Sequence, residues 1–522
     1  MTTSALTSSA RTWFMKQVRQ HWPLCLLLLV VIPFEIMLRL HARPNVFPDS
    51  WGYWELAKAI LAGNWYHERF TFRTPGYPAF LAAVFSLAGD KNWDAVISAQ
   101  FLLGATMPVG LYVVYYRISG KTWIAALGAA AFLADRYTLE LQAVPLTECL
   151  SAILAVWFLA AYVIASERKV WWQAVLVGVL GCITILVRPS FQLLPMCFAV
   201  GGVILEWLRK EHRAQWRRIV GWNAVMLLIV QLGLWGWAWV IYRQTGNFAI
   251  SLQLGASMTN HTGAWMEHAP DKFAKIRDIY VAARTKNGGN WINLYDAIDD
   301  ELTSATGLKG WELSLQFREL NSYLLKRFWR EYLQHVYYAW QMLWAEPSRY
   351  VVDEMAEIPP GMQVPPMTEI GKFMRSLPLM WDGLYRPLDR LLWNRPSTSL
   401  KIPWVLTLLF IGVLYLKRRD IRAVIAATLC FGTIFYHMLI HALVQFTEFG
   451  RYRLPVQTMW LGLLVTLFLI VANEVWVKLN EIAAGAPQVG AGDRPTPTHH
   501  AGRKRTNRFN KGGRKQGKSV LD

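Results

Sequence analysis

Residues 146–165, LTECLSAILAVWFLAAYVIA, form the stretch of sequence that decides the fold. Glu148 is the only charged residue in this stretch, and it stands third from its start. An α-helix needs about 20 mainly apolar residues to cross a bilayer, because lipid cannot satisfy unpaired backbone groups. The stretch is therefore predicted to be a transmembrane helix with its one carboxylate at the end.

Nine further stretches of the chain have the same apolar character. With the first they make ten predicted spans: 24–40, 94–116, 122–135, 146–165, 170–187, 190–206, 219–241, 400–416, 422–444 and 455–477. The composition of the 522 residues agrees, since 54% are hydrophobic and 17% are charged, against about 25% charged residues in soluble domains. The predicted fold class is an all-α polytopic membrane protein of about ten transmembrane helices.

Lysine and arginine residues predict the orientation in the membrane. Basic short loops stay preferentially on the cytoplasmic side. Such loops alternate along the chain at 117–121, 168–169, 209–218 and 417–422. This pattern predicts a multi-pass protein of the inner or plasma membrane, with both termini in the cytoplasm.

The chain is accordingly expected to have four parts. Residues 1–241 form an N-terminal transmembrane module whose first outer loop is 41–93, and residues 242–399 form an external region of helices and loops. Residues 400–478 are the C-terminal transmembrane helices. The last part, 479–522, is predicted to be a disordered cytoplasmic tail, with nine Lys or Arg and one acid from residue 494 onwards. Beside a transmembrane helix, this basic tail favours membrane lipid over nucleic acid as a partner.

A short amphipathic helix is predicted on the membrane surface at residues 50–63 of the first outer loop. Its apolar side is expected to carry Trp51, Trp54, Leu56, Ile60 and Leu61. Asp49 precedes this helix. Its carboxylate is open to two interpretations, a cap for the free N–H groups of the helix or a group that carries chemistry.

Ionisable residues beside a membrane bundle are costly to hold there, so each is a candidate for function. The candidates map to outer loops or to the outer ends of spans: Asp49, Arg73, Asp135, Arg136, Glu140, Glu148, Arg188, Glu448, Arg451 and Arg453. If the helices bundle, these groups are predicted to surround one external cavity with acidic and cationic walls.

The main candidates also have structural interpretations. Glu148 opens a helix, where the helix dipole by itself favours a carboxylate. Arg73 opens the turn RTPGYP, and its planar guanidinium suits either a bound phosphate or a lipid headgroup. Arg188 lies between two apolar spans and is open to a buried ion pair. Arg451 is open to a local pair with Glu448.

Two pairs of ionisable residues, each spaced four apart on a predicted helix, are interpreted as structural, although this spacing would also let His437 and His441 bind one metal ion. Glu35 and Arg39 are predicted to form an ion pair within the first span. His437 and His441 are predicted to make polar helix contacts rather than to bind a metal.

The order and sidedness of these residues resemble the membrane glycosyltransferases of the GT-C class, in the branch of the protein O-mannosyltransferases and the aminoarabinose transferase of lipid A. The resemblance rests on PDSWGYWELA at 48–57, RTPGYP at 73–78, the pair Thr147-Glu148 and RYRLP at 451–455. It covers residues 20–240 and 400–478 approximately.

The resemblance implies an enzyme that transfers a sugar from a polyprenyl phosphate to a hydroxyl group of a glycan, lipid or protein at the external or periplasmic face. Asp49 is then the general base of an inverting displacement. Arg73 is the first ligand of the donor phosphate, with Arg188, Arg451 and Tyr53 as further donor-binding candidates. A phosphate leaving group needs no proton, so one base and several cations are sufficient.

Glu148 is assigned a supporting catalytic role, in which it orients the acceptor or Asp49, or binds a divalent cation. No other cofactor is implied. The competing function is a transporter or flippase of lipid-linked or anionic solutes. Secondary transporters more often show inverted repeats and ionisable residues near mid-membrane, whereas the charged residues here lie at one edge.

Overall fold

The computed structural model describes residues 15–207, 215–345, 369–388, 408, 411–412 and 421–485. The elements within these ranges are all helical. Seven helical stretches are long and apolar enough to cross a membrane: Trp22–His41, Trp93–Ser119, Thr147–Arg168, Pro189–Trp207, Trp216–Thr245, Arg422–Val444 and Phe449–Ile482. These findings confirm the predicted all-α polytopic membrane class.

Three predicted spans differ from this set. The predicted spans 122–135 and 170–187 correspond to shorter apolar helices, as does the region Gly76–Ala88, which was not predicted to span. The predicted span 400–416 lies almost wholly outside the described residues, and so does the basic tail from residue 486.

The helices are numbered in chain order. They are α1 (Trp22–His41), α2 (Pro48–Leu61), α3 (Gly76–Ala88), α4 (Trp93–Gly104), α5 (Met107–Ser119), α6 (Thr122–Ala129), α7 (Ala131–Ala134), α8 (Arg136–Leu141), α9 (Thr147–Arg168), α10 (Trp171–Val187), α11 (Leu194–Trp207), α12 (Trp216–Thr245), α13 (Leu254–Thr262), α14 (Ala274–Lys286), α15 (Leu294–Thr306), α16 (Gly310–Arg327), α17 (Trp329–Ala345), α18 (Glu369–Arg375), α19 (Pro378–Met380), α20 (Ile421–Val444) and α21 (Phe449–Gly485). The chain divides into two units after Ala472, within α21. The first unit contains α1 to α20 and the part of α21 up to Ala472.

Helix α9 is the central element of the membrane bundle. It packs against α4, α5, α10 and α20, and its buried residues, such as Leu150, Val156 and Phe158, lie around the helix rather than on one stripe. A helix that is apolar all round is typical of a bundle interior. Its 22 residues give a length of about 33 Å, which separates Glu148 at one end from Arg168 at the other.

The two ends of α9 lie in different electrostatic surroundings. Near Arg168, Lys169 pairs with Glu206 (3.2 Å), and Arg117 pairs with Glu167 (3.0 Å). These basic residues belong to the loops that predict the cytoplasmic side. Near Glu148 lie the end of α10 and the starts of α2 and α21, and these termini hold the candidate residues.

Gly76 fixes the position of the RTPGYP turn. It begins α3 and lies so close to α10 that a Cβ atom on it would be 2.5 Å from the backbone carbon of Leu186 and the backbone nitrogen of Val187. Backbone atoms cannot rotate away, so only glycine allows this approach. The contact holds Arg73, just before α3, beside Arg188, just after α10.

The face of α2 that packs on the bundle differs from the prediction. Tyr53, Leu56 and Ala57 are buried, whereas Trp51 is 43% exposed and Leu61 is 50% exposed. Of the residues predicted to share the apolar side of this surface helix, Leu56 is therefore buried, whereas Trp51 and Leu61 are half-exposed. Helix α2 packs against α3, and Gly52 lies next to the side chains of Arg69 and Arg73, which precede α3.

The described residues of the region after α12, 246–345 and 369–388, are mainly helical, as predicted. Helices α13 to α17 lie here, and α13 packs on α16. A separate apolar core holds this region together: Met266, Phe273, Tyr280, Leu294, Ile298, Leu302, Leu313, Phe317, Leu320 and Leu324.

Candidate active site

Asp49 lies in the first turn of α2, where two arginines hold its carboxylate. Arg73 Nη2 donates to Asp49 Oδ1 at 2.6 Å, and Arg451 Nη2 donates to Asp49 Oδ2 at 3.0 Å. The start of the helix is capped by another residue, since the Ser50 hydroxyl accepts from the backbone N–H of Phe47 at 3.2 Å. The capping contact is therefore made by Ser50 and not by Asp49. The Asp49 carboxylate forms ion pairs with Arg73 and Arg451 instead.

The arginines also control the ionisation of Asp49. Burial favours the neutral acid, but the charges and hydrogen bonds of Arg73 and Arg451 outweigh burial and hold the pKa of Asp49 well below its ordinary value. The Asp49 side chain keeps 35% of its surface exposed. It is therefore an ionised carboxylate that a ligand can reach.

Glu148 lies behind Asp49, with a side chain that is only 1% exposed. Arg451 Nε donates to Glu148 Oε1, and Arg188 Nη1 lies 3.2 Å from the same oxygen. Arg188 also donates to Thr147 Oγ1 at 3.0 Å. Arg188 therefore forms a buried ion pair with Glu148. Glu148 also lies in the first turn of α9, where the helix dipole favours a carboxylate.

Arg451 is the centre of the arrangement. Besides Asp49 and Glu148, it contacts Glu448, with Nη1 at 3.0 Å from Glu448 Oε2. The resulting set has three carboxylates and three guanidinium groups, and it is named the Asp49 cluster: Asp49, Arg73, Glu148, Arg188, Glu448 and Arg451. The predicted local pair of Glu448 and Arg451 exists, but it is one contact of several.

Tyr53 supports Arg73 through its ring. The guanidinium carbon of Arg73 lies 4.5 Å from the Tyr53 ring centroid, a cation–π contact. The Tyr53 ring meets that of Tyr77 edge-on at 5.1 Å, and the Tyr77 hydroxyl donates to Gln100 at 2.9 Å. A packed chain of side chains therefore orients Arg73 toward Asp49.

Other predicted wall residues form a second cluster. Gln457 donates to Asp135 Oδ1 at 2.6 Å and accepts from Arg453 Nε at 2.7 Å. Arg136 and Glu140 are buried near them on α8. Asp135 and Arg453 therefore share a hydrogen-bond network with Gln457, and α8 carries the charged side chains of Arg136 and Glu140 into the bundle.

The predicted pair within α1 is also absent. Glu35 Oε1 accepts from Gln142 Nε2 at 3.0 Å, and Arg39 pairs with Asp94 at 3.3 Å. Glu35 is buried, and the amide of Gln142 donates to one of its two carboxylate oxygens, while Arg39 reaches the more exposed start of α4.

His437 and His441 contact the start of α21, as predicted for polar helix contacts. His437 Nε2 lies 2.8 Å from the Tyr452 carbonyl oxygen, and the His441 ring stacks on Tyr452 at 4.5 Å. Tyr452 in turn lies 5.6 Å from the guanidinium carbon of Arg188. The histidines therefore help to position an aromatic neighbour of the Asp49 cluster.

One residue near the site was missed by the sequence analysis. Desolvation and the charges of Asp49 and Asp299 raise the pKa of Asp296, on α15, and Arg73 opposes the rise. Asp296 is therefore close enough to interact electrostatically with the Asp49 cluster. The available signal was a run of acids just after it, Asp299 to Glu301, and such a run is typical of a solvated face.

Comparisons with known proteins give structural similarities only. No family model and no curated protein matches the sequence. The fold is similar to the archaeal oligosaccharyltransferase AglB from Archaeoglobus fulgidus in complex with an inhibitory peptide and a dolichol-phosphate (12% identity, TM-score 0.44, covering 92% of this chain and 53% of that chain). It is also similar to the apo form of the oligosaccharyltransferase of that organism (14%, 0.46, 91% and 53%).

A third similar structure is the Archaeoglobus fulgidus oligosaccharyltransferase tethered to an acceptor peptide containing the NVT sequon (12%, 0.45, 92% and 53%). The present chain spans about half the length of these proteins. With TM-scores below 0.5, the similarities do not identify its reaction, which must be inferred from its own residues.

Proposed function

We propose that the protein is a membrane glycosyltransferase of the GT-C type, which moves a sugar from a polyprenyl-phosphate donor to a hydroxyl acceptor with inversion. The observation that carries the proposal is the contact of one reachable carboxylate, Asp49, with two guanidinium groups, those of Arg73 and Arg451, at one end of the membrane helices. A base and phosphate-binding cations are the two chemical requirements of this transfer.

In the proposed reaction, the acceptor oxygen attacks the anomeric carbon of the donor sugar. The new C–O bond forms as the bond between that carbon and the phosphate oxygen breaks. The acceptor proton goes to Asp49, and the polyprenyl phosphate leaves with the electron pair. Arg73 is the foremost phosphate ligand because it is the more exposed of the two arginines on Asp49, at 24% against 10%.

Glu148 supports the site indirectly in this proposal. Its burial keeps it from touching an acceptor, and its contacts with Arg451 and Arg188 hold both guanidinium groups in place. Arg451 in turn holds Asp49. Among the roles expected for Glu148, orientation of Asp49 is thus the best supported, and it acts through Arg451.

A divalent cation does not fit this arrangement of side chains. Each carboxylate of the Asp49 cluster already contacts at least one guanidinium group, and these positive charges oppose a bound cation. The proposed transfer therefore uses side chains of the protein alone.

The proposal places the Asp49 cluster on the external or periplasmic face of the inner or plasma membrane. Support comes from the basic residues at the opposite end of α9, around Lys169 and Arg117, because basic loops favour the cytoplasm. The position of the cluster at helix ends also favours transfer over transport through the bilayer.

The test uses the purified full-length protein in lipid nanodiscs, incubated with a panel of polyprenyl-phosphate sugars and hydroxyl acceptors. Wild-type protein is expected to form a glycosylated product, and Asp49→Asn is expected to abolish product formation while it still binds the donor. Glu55→Gln is the matched control, since Glu55 lies on the same helix in an exposed pair with Arg69 (2.8 Å). Turnover retained by Asp49→Asn overturns the assignment of the base.

A further inference from the structure

A cavity of about 480 Å³ lies between α17 and the turn that joins α20 to α21. Its walls are formed by Ile292, Gln334, His335, Tyr338, Met342, Phe446 and Phe449. This size is within the range of small-molecule sites in proteins. None of the seven wall residues is acidic, lysine or arginine, so the cavity suits an uncharged group.

The cavity adjoins the Asp49 cluster through the α20–α21 turn. Phe449 in its wall follows Glu448 directly, and Glu448 contacts Arg451 at 3.0 Å. Asn293 donates to Thr447 at 3.3 Å, which ties this turn to the region before α15. A group bound in the cavity therefore lies one residue from Glu448, which contacts Arg451 of the Asp49 cluster.

Aromatic rings give the cavity flat surfaces. The His335 ring stacks on Phe446 at 4.6 Å and on Trp265 at 4.9 Å. Tyr338 lies 5.5 Å from Phe446 and is 48% exposed. Aromatic faces of this kind attract both hydrocarbon groups and the C–H faces of sugar rings.

The polar atoms of the wall distinguish these two ligand classes. His335 Nδ1 is buried and has no hydrogen-bond partner among the described residues, and burial lowers the pKa of His335 so that the ring stays neutral. The wall also contains the amide of Gln334 and the phenol of Tyr338. A hydrocarbon chain offers the Gln334 amide and the Tyr338 phenol no hydrogen bond, whereas the hydroxyl groups of a sugar can pair with both.

From these observations we infer that the cavity binds a neutral sugar ring and is the acceptor subsite of the enzyme. The acceptor is thus a glycan rather than a lipid that offers only a hydrocarbon chain. The role of the cavity as acceptor subsite rests on the proposed function. Binding of a sugar in the cavity can be tested without any transfer assay.

The test is saturation-transfer NMR on the full-length protein in nanodiscs. The probes are the methyl glycosides of glucose, galactose, mannose and N-acetylglucosamine, with farnesyl phosphate as the hydrocarbon probe. At least one glycoside is expected to give a signal that falls fivefold or more in Tyr338→Ala and in Gln334→Ala. Tyr337→Ala is the matched control, because Tyr337 is the next residue on α17, is 54% exposed and is not in the cavity wall; it should keep the wild-type signal.

Two results overturn the inference. One is that no glycoside signal distinguishes Tyr338→Ala from Tyr337→Ala. The other is that Tyr338→Ala removes the signal of the farnesyl protons instead, which makes the cavity a hydrocarbon site. Failure of the proposed function is separate from both: it appears as absent or Asp49-independent transfer in a protein that still binds glycosides through Tyr338.

Discussion

Arg73 has two partners that compete for the same guanidinium group, the Asp49 carboxylate at 2.6 Å and, in the proposed reaction, the donor phosphate. While Arg73 is bound to Asp49, the carboxylate is ionised but a weak base. When Arg73 turns to a phosphate, Asp49 loses part of the positive charge that lowers its pKa and becomes a stronger base. Donor binding would therefore prepare the base for the acceptor.

Replacement of Arg73 by Gln tests this double role. Loss of a charge-assisted hydrogen bond should weaken donor binding by about ten- to a hundredfold. Because a positive charge is also removed from Asp49, the pKa of Asp49 should rise, and the acid limb of the rate–pH profile should move to higher pH. Arg73→Lys keeps the charge and should leave the acid limb near its wild-type position. Donor binding and rate are measured across pH, and an unchanged donor affinity removes Arg73 from the site.

Arg451 should matter for stability as well as for chemistry. The Glu148 carboxylate beside it is buried, and removal of one partner of a buried ion pair typically costs about 3–5 kcal/mol in the free energy of unfolding. Arg451→Gln is therefore expected to lower the melting temperature clearly. Adding Glu148→Gln to the same chain should recover part of the loss, since the Asp49 cluster then again has equal numbers of carboxylates and guanidinium groups. Equal melting temperatures for wild type and Arg451→Gln would contradict this prediction.

At the scale of the elements, the approach of α3 to α10 decides whether Arg73 reaches Asp49 and Arg188 reaches Glu148 within one cluster. Gly76→Ala should force the two helices apart, because its Cβ would meet backbone atoms of Leu186 and Val187. Overpacking of this kind typically costs about 1–3 kcal/mol, and the shift of Arg73 should reduce transfer further. Gly236→Ala on α12 is the control, since nothing lies within 4 Å of a Cβ at that position. Melting temperature and transfer rate are compared for both variants.

The sequence was sufficient to predict most of the helices, but not which way they face. Length and apolarity identify α9 and α21 because the bilayer sets the length of a span. Length and apolarity do not determine which face of α2 is buried. Trp51 is exposed and Tyr53 is buried, although either ring would fit a helix surface at the membrane. Nor do length and apolarity reveal that Glu35 meets Gln142, because partners 107 residues apart are brought together only by packing.

The candidate site was predictable to the extent that its residues stand at helix ends. Asp49, Glu148, Arg188 and Arg451 each follow or open an apolar stretch, and helices of alternating direction bring such ends together. Asp296 and the cavity beside Tyr338 belong to the region after α12, where the sequence has no comparable constraint on position.

At the scale of the whole molecule, the two ends of α9 should lie on opposite sides of the membrane. The prediction is tested with single cysteines in a background that lacks the five native ones, at Asn64→Cys and Arg168→Cys. Both positions are exposed: Asn64 follows the end of α2, whose first turn carries Asp49, and Arg168 lies at the basic end of α9. In right-side-out vesicles, an impermeant maleimide should label residue 64 and not residue 168, and inverted vesicles should reverse the pattern. Labelling of both positions from one side would contradict the proposed topology.

Equal numbers of arginines and carboxylates in the Asp49 cluster have a consequence for how a donor arrives. Without net charge, the cluster exerts little long-range attraction on anions in the surrounding water. A lipid-linked donor would then reach it by two-dimensional diffusion within the leaflet. Its rate of capture should follow the surface density of the donor and change little with ionic strength.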